Sequence, residues 1–292
     1  MSRNRNLPGI IAMVVAAALF SLMDAGLKLL APHYPAMQVT ALRSLASMPF
    51  VYALVAWRGS FKTLLKVRWA LHLLRGALGI IMLAGFVFGL RFLPLSGAYA
   101  IFFVAPLLIT ALSVPFLGER VDGARWLAII VGLTGVLVVL RPTGSGLLTL
   151  GGLGVLLSAV CYAISAIAIR VIGRTDSMES LMFWLISLVG VGSTILAWPH
   201  WVPVRAADAW IIASIGITGF CGQYGTTYAF RHGEASGVAP FEYTAIAWGI
   251  GLDRVLWHTA PDHYTLLGAT IIIASGLYLA RRERSHAESE HP

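Results

Sequence analysis

Ten apolar runs follow one another along this chain, at approximately residues 8–31, 37–57, 69–90, 95–117, 124–141, 151–172, 178–198, 209–230, 236–256 and 263–281. Each is close to the ~20 residues that a helix needs to cross the hydrocarbon core of a bilayer. Little of the 292-residue chain lies between them, which leaves no room for a separate soluble domain. Only 12% of the residues are charged, against about 25% in soluble domains. A membrane β-barrel is built from ~10-residue segments of alternating hydropathy, and these runs are longer and do not alternate. The expected fold class is an all-α integral membrane protein with ten transmembrane helices.

A net charge of +8 raises the question of nucleic acid, but the distribution answers it. With the N-terminus inside, the cytoplasmic flanks carry Arg3, Arg5, Arg58, Lys62, Lys66, Arg68, Arg120, Arg125, Arg170, Arg174, Arg231, Arg281, Arg282 and Arg284, and the outer flanks only Lys28, Arg91, Arg141 and Arg205. That bias is the positive-inside rule. It puts both termini in the cytoplasm, which an even number of spans also requires, and it removes the case for a nucleic-acid partner. The expected partners are the lipid bilayer and a small-molecule substrate, and nothing in the sequence demands more than a monomer. The first run follows two arginines as a signal peptide would, but it is too long for a signal core and no clear cleavage site follows it, so it is read as a retained helix. Cys161 and Cys221 lie in different runs, fit no metal or disulfide spacing, and are read as packing residues.

The chain is written twice. Compare GFVFGLRFLPLSGAYA (85–100) with GTTYAFRHGEASGVAP (225–240): a shift of 140 pairs Gly85 with Gly225, Arg91 with Arg231, Ser96 with Ser236 and Gly97 with Gly237. The same shift pairs Gly76 with Gly216, Gly79 with Gly219, Asp122 with Asp262 and Arg141 with Arg281, and a shift of 142 pairs Lys28 with Arg170. The units are residues 1–141 and 151–282, joined by a Gly-rich linker at 142–150, with a short cytoplasmic tail at 283–292 that is expected to fray. Five spans per unit is an odd number, so the second unit enters the membrane from the opposite side and the repeat is inverted. Lys28 and Arg170 then end their helices at opposite faces, where each is expected to snorkel to the nearest interface. Inverted repeats are an architecture of secondary transporters, with the substrate site near the midplane between the halves. Gly85–Gly89 and Gly233–Gly237 are small-xxx-small pairs suited to close helix packing. Pro106, Pro115 and Pro240 fall in or near the fourth and ninth runs, which are repeat mates; proline breaks the helical ladder, and a broken helix either lines a cavity or only serves packing.

The stretches SLMDAGLKLL, LRSLASMPF, LLRGALG, LPLSGAYAIFFVAPLLITALSVPFLGER, GLTGVLVVLRP and FEYTAIAWG occur in this order. Together they resemble the EamA-type, ten-helix members of the drug/metabolite transporter superfamily, over about residues 8 to 281. The resemblance implies a bacterial inner-membrane transporter of small metabolites. Within the superfamily the YddG-type exporters of aromatic amino acids are the nearest functional likeness, while other relatives import vitamins or nucleoside-type cofactors. Family halves commonly end the fourth helix with Gly-Glu; the first half has Gly118–Glu119, whereas the second has His258–Thr259.

Among the charged residues, Asp24 lies about seven residues before the outer end of the first run and Arg43 about seven residues into the second. Both are therefore roughly 10 Å deep by helical rise. Equal depth on sequential helices fits a salt bridge, and a direct part in binding or gating is the other reading. Arg75, about six residues inside the third run, is expected to snorkel. The aromatic set Tyr99, Phe103, Trp184, Tyr224, Tyr228, Tyr243 and Trp248, with the amide Gln223, either packs and anchors in the ordinary way or lines a substrate cavity at the repeat interface. No HExxH, CxxC, G-x-S-x-G or Walker A pattern occurs, so no catalytic residue, metal site or cofactor is expected. A membrane enzyme or a purely structural subunit are the competing classes; the first needs a nucleophile–base pair at one depth, the second no cavity between halves.

Glu242 is the sharpest candidate. It sits about six residues into the ninth run, on the order of 9 Å deep, just after Pro240, and its repeat mate is Phe102. The fold itself therefore demands no acid there. Either it is hydrogen-bonded to backbone opened near Pro240, or it borders the cavity and meets a substrate ammonium or a proton.

Overall fold

The computed structural model describes residues 7–59, 61, 64–65, 67–117, 123–140, 150–172, 175–232 and 239–290. Its α-helices are α1 (Leu7–Leu30), α2 (Ala36–Arg58), α3 (Trp69–Leu90), α4 (Leu95–Phe102), α5 (Ala105–Leu117), α6 (Gly123–Leu140), α7 (Leu150–Ile172), α8 (Met178–Ala197), α9 (Ala209–His232), α10 (Thr244–Leu256) and α11 (His263–Glu290). Among the described residues six segments are long and apolar enough to cross a membrane: Leu7–Leu30, Ala36–Arg58, Trp69–Leu90, Leu95–Phe116, Leu150–Ile169 and Glu179–His200. The remaining expected runs fall short by that measure. The apolar parts of α6 and α11 are Trp126–Val139 and His263–Tyr278. In α9 the polar and small residues Gly222, Gln223, Tyr224, Gly225 and Thr226 dilute the apolar content.

The fourth run is split. Pro106 has no N–H to give the Phe102 carbonyl, and its ring crowds that carbonyl. Helix α4 accordingly stops at Phe102, and α5 restarts at Ala105 with Pro106 at its second position, where the missing donor costs nothing. At the same place in the second half, the short 3₁₀ helix Ala239–Tyr243 precedes α10, and the Thr244 hydroxyl donates to the Phe241 carbonyl at 2.6 Å. The two breaks, after Phe102 and after Tyr243, are about 140 residues apart, close to the shift seen in the sequence.

Helix α1 packs on α9, α3 on α7, α2 on α8, α6 on α11 and α4 on α10. Exchanging α1 with α7, α2 with α8, α3 with α9, the α4–α5 segment with the α10 segment, and α6 with α11 maps this packing onto itself. Mates run in opposite directions. The C-terminal end of α1 shares one end of the bundle with the start of α4 and the end of α10. The C-terminal end of α7 lies with the start of α3, at the end where α2 finishes and α8 begins.

Lipid tails are as apolar as leucine, so close packing holds such helices together. At the α3–α7 contact an added Cβ on Gly85 would lie 2.9 Å from the Gly154 carbonyl, and one on Gly89 2.9 Å from that of Gly151. Small residues at these positions let the two backbones touch. The Gly233–Gly237 pair, residues 142–149 of the linker and Gly118–Glu119 lie outside the described residues, and the last linker residue, Leu150, begins α7. The side chain of Arg170 does too. The largest buried cluster runs through both halves, from Leu27, Leu30 and Tyr34 through Leu95, Ile101 and Leu107 to Val155 and Ile272.

Candidate functional site

Asp24 faces inward from α1 and is 8% exposed. The Tyr99 hydroxyl, on the next turn of α4 from Leu95 and Ser96, donates to its carboxylate at 2.7 Å. Arg43 on α2 is within electrostatic reach of Asp24, but its Nε donates to the sulfur of Met23 at 3.3 Å. The expected direct salt bridge is therefore replaced by an acid–tyrosine contact with a guanidinium nearby. Met23 and Asp24 are neighbours on α1 and point about 100° apart, so an arginine seated on the first does not also grip the second.

Around Tyr99 runs a continuous aromatic array. Phe103 is 6.1 Å from it and Tyr243 5.1 Å beyond Phe103, ring centre to ring centre. In the other direction Phe86 lies 6.3 Å away, Phe102 5.6 Å beyond it and Tyr162 5.4 Å beyond that. Glu242, partly buried in the 3₁₀ turn, is within electrostatic reach of Tyr162 and Tyr243, at both extremes of the array. Among the described residues no side chain hydrogen-bonds it. Thus Asp24, Tyr99, Phe103, Glu242 and Tyr243 share one site with Arg43, and Phe86, Phe102 and Tyr162 belong to it as well. Sequence reading missed those three. Their signal was spacing: Phe102 is the repeat mate of Glu242 and Tyr162 that of Phe20.

The other candidates lie elsewhere. Trp184 donates its indole N–H to the Leu64 carbonyl at 2.8 Å and stacks edge-on with Trp69. Trp248 and Gln223 are exposed. Tyr224 and Tyr228 line an open apolar groove of about 590 Å³ between the first half of α1 and the second half of α9, away from Asp24.

Above the site, Asp253 of α10 is fully buried. It accepts from Lys28 Nζ at 3.0 Å, from the Leu95 and Ser96 amides at 2.9 Å each, and from the Ser96 hydroxyl at 2.8 Å. Lys28 also stands 4.1 Å from the centre of the Trp257 ring. It does not snorkel outward as expected, because a buried carboxylate at the same depth offers it more than the interface does. Asp253 is not among the residues singled out from the sequence; matching its depth to that of Lys28, as for Asp24 and Arg43, was the available signal. At the same end Tyr34 donates to Asp208 at 2.5 Å, and Arg205 binds Asp208 at 2.8 Å. Hydrogen bonds from Arg205 and then Tyr34 hold the Asp208 carboxyl below its ordinary range. Gln38 and Val202 exchange two hydrogen bonds, at 2.6 and 2.9 Å.

At the opposite end His72 meets Asp176 at 2.9 Å and Arg58 meets Glu179 at 2.5 Å. Burial acts to raise the Asp176 carboxyl, but hydrogen bonds from Thr175, His72 and the Arg68 amide outweigh it and hold the group below its ordinary range. Arg75 is 3% exposed and donates to the Leu181 carbonyl at 3.3 Å, so it too is buried rather than snorkelled. Among the described residues no group of three His, Cys, Asp or Glu side chains is placed to hold a metal, and Cys161 and Cys221 are unpaired thiols.

The model of the EamA-like transporter family matches residues 7–141 and, a second time, residues 149–281. The chain belongs to the EamA-like transporter family. Two copies of the EamA-like unit therefore make up the chain, and it is a multi-pass membrane transporter of small molecules, not an enzyme. A pseudopaline exporter of Pseudomonas aeruginosa is 26% identical over 94% of this chain and 97% of its own length. A riboflavin transporter of Rhizobium johnstonii is 30% identical over 73% of this chain and 70% of its own length. An S-adenosylmethionine uptake transporter of Rickettsia prowazekii is 25% identical over 98% and 96%. A solved crystal structure superposes on 93% of this EamA-like chain and 98% of its own with a TM-score of 0.64; at 20% identity it speaks for the fold alone.

Proposed function

We propose that the chain is a secondary transporter of the bacterial inner membrane that exports an amino-acid-type metabolite by alternating access. In this reading it has ten spans in two inverted five-helix repeats, at 1–141 and 151–282, with both termini in the cytoplasm. The observation that carries the substrate class is the placing of Asp24, Tyr99 and Arg43 together at the centre of the bundle. A carboxylate and a guanidinium within electrostatic reach of each other match the ammonium and carboxylate of a zwitterion. The Arg43 Nε donates to the Met23 sulfur, and among the described residues no carboxylate oxygen hydrogen-bonds the guanidinium, so a substrate carboxylate is its natural partner. The aromatic array from Tyr162 to Tyr243 offers faces for an apolar or aromatic side chain. Glu242, with no hydrogen-bonding side chain among the described residues, meets the substrate ammonium or a proton. Two related packings of inverted repeats give the outward-open and inward-open states such a cycle needs.

Export is supported by the relative that exports pseudopaline and aligns along nearly the full length of both chains. Uptake of a vitamin or nucleoside-type compound is the second reading, favoured by the riboflavin and S-adenosylmethionine relatives. A counterflow screen of labelled amino acids and vitamins in proteoliposomes tests both. Accelerated exchange of an amino acid, lost in Arg43→Gln, is the expected result. Exchange of riboflavin or a nucleoside-type compound with no amino acid moving would establish the second reading instead.

A further inference from the structure

Resting on the transporter reading above, we propose that Asp253 is the latch that shuts one end of the bundle over the substrate site and positions Tyr99 beneath it. Three helices meet at this carboxylate. Lys28 reaches it from α1, the first amides of α4 reach it through Leu95 and Ser96, and it stands on α10. Helix starts carry unsatisfied N–H groups and a positive end, so one buried carboxylate satisfies both the lysine and the start of α4. Four contacts at 2.8–3.0 Å to a fully buried group form a closed polar plug.

One turn below, the same three helices supply the site. Asp24 lies four residues before Lys28 on α1, and Tyr99 three residues after Ser96 on α4. Gly249 lies four residues before Asp253 on α10, and a Cβ there would come within 2.8 Å of the Tyr99 ring. The latch therefore fixes the α4 turn that aims the Tyr99 hydroxyl at Asp24, and α10 cannot leave α4 without uncovering that hydrogen bond. Helices α1 and α4 belong to the first repeat and α10 to the second, so the latch crosses the boundary that alternating access must open.

The repeat mates of Lys28 and Asp253 are Arg170 and Ser113, a cation and a neutral residue, so the sequence does not repeat this ion pair at the inverted positions. That inequality favours the state closed at the Lys28–Asp253 end.

Accessibility of a buried reporter tests this without a known substrate. Ser21 is fully buried one turn deeper than Asp24 on α1. In a Cys161→Ala, Cys221→Ser background, Ser21→Cys is labelled with a membrane-impermeant maleimide in sealed right-side-out and inverted vesicles. Asp253→Asn is expected to raise the labelling rate from the latch side about tenfold, a loss typical of a charged hydrogen-bond set. Lys28→Met, which leaves the α4 contacts in place, is expected to raise it about threefold, and Lys28→Arg to restore the parent rate. Unchanged labelling in Lys28→Met and in Asp253→Asn overturns the latch; if Asp253→Asn does not reach the membrane, unchanged labelling in Lys28→Met alone does so. A rise confined to inverted vesicles keeps the latch and reverses the proposed orientation. A rise in a protein that shows no counterflow keeps the latch while the transport reading fails.

Discussion

The two repeats carry the same pair of groups on exchanged helices. In the first, the acid is on the leading helix and the tyrosine on the broken fourth one: Asp24 on α1 and Tyr99 on α4, joined at 2.7 Å and both buried. In the second, the tyrosine is on the leading helix, Tyr162 of α7, and the acid on the broken segment, Glu242. That pair is within electrostatic reach but shares no hydrogen bond among the described contacts. The residues are not repeat mates. Asp24 corresponds to Ala166 and Glu242 to Phe102, so neither acid is repeated in the other copy. In one copy the contact is a made bond with a guanidinium beside it; in the other, among the described residues, no side chain hydrogen-bonds the carboxyl. Asp24 thus ties α1 to α4 as well as facing the proposed substrate, whereas Glu242, among the described residues, is tied by no side-chain hydrogen bond.

The largest expected effect separates the two acids. Asp24→Ala strands Arg43 without its counter-charge and leaves the buried Tyr99 hydroxyl with Ser21 as its remaining partner, which should destabilise the protein by about 3 kcal/mol in a reversible SDS titration. Glu242→Ala removes a group that no side chain hydrogen-bonds among the described residues, and its stability should stay within about 1 kcal/mol of the parent. Counterflow by Glu242→Gln, which keeps shape and removes the charge, should nonetheless fall about tenfold or more. Equal stability losses for the two alanine variants would erase the division of roles. Transport by Glu242→Gln with unchanged rate and unchanged pH dependence would make Glu242 structural.

A smaller effect sharpens the same contrast. In a double-mutant cycle, Asp24→Asn with Tyr99→Phe should show a coupling energy of about 1–2 kcal/mol, whereas Glu242→Gln with Tyr162→Phe should couple by less than about 0.5 kcal/mol. Comparable coupling in both cycles would mean that Glu242 and Tyr162 are bonded in the working protein, and that the second copy merely repeats the first.

How far the sequence reached follows from what a membrane does to sequence signals. Length and apolarity locate helices along the chain, and the 140-residue shift pairs them. Pro106 and Pro240 even mark the two breaks, because a missing N–H acts locally. Depth was legible too, which is why Asp24 and Arg43 were set level with each other. Rotation about the helix axis was not. A soluble helix declares its inner face by an apolar stripe, but a helix in lipid is apolar on both sides, so the stripe fades. Several residues placed otherwise than expected are errors of rotation rather than of depth. Trp248 and Tyr224 turned out exposed, Lys28 and Arg75 turned inward, and Asp24 chose Tyr99 over Arg43.

The smallest expected effect comes from a third acid–tyrosine pair, which lies outside the membrane-spanning segments and serves as a control. Tyr34 donates to Asp208 as Tyr99 does to Asp24, but Asp208 has Arg205 in direct contact and that arginine is half exposed. The arginine and tyrosine hydrogen bonds hold the Asp208 carboxyl below its ordinary value of 3.8. A carboxyl depressed on folding is ionised in the folded protein at pH values where the unfolded chain has taken up a proton. Its contribution is therefore fully present above the ordinary value and is lost as the pH falls through the lower folded value. Because the ion pair is screened, that contribution should be below about 1 kcal/mol. Thermal unfolding of Asp208→Asn beside the parent should show a small deficit at neutral pH that closes in acid below 3.8. A deficit as large as that of Asp24→Ala would show that partners, rather than the surrounding lipid, set the strength of an acid–tyrosine contact in this chain. A small deficit that vanishes in acid assigns the difference between Asp24 and Asp208 to the medium, since the tyrosine bond is common to both.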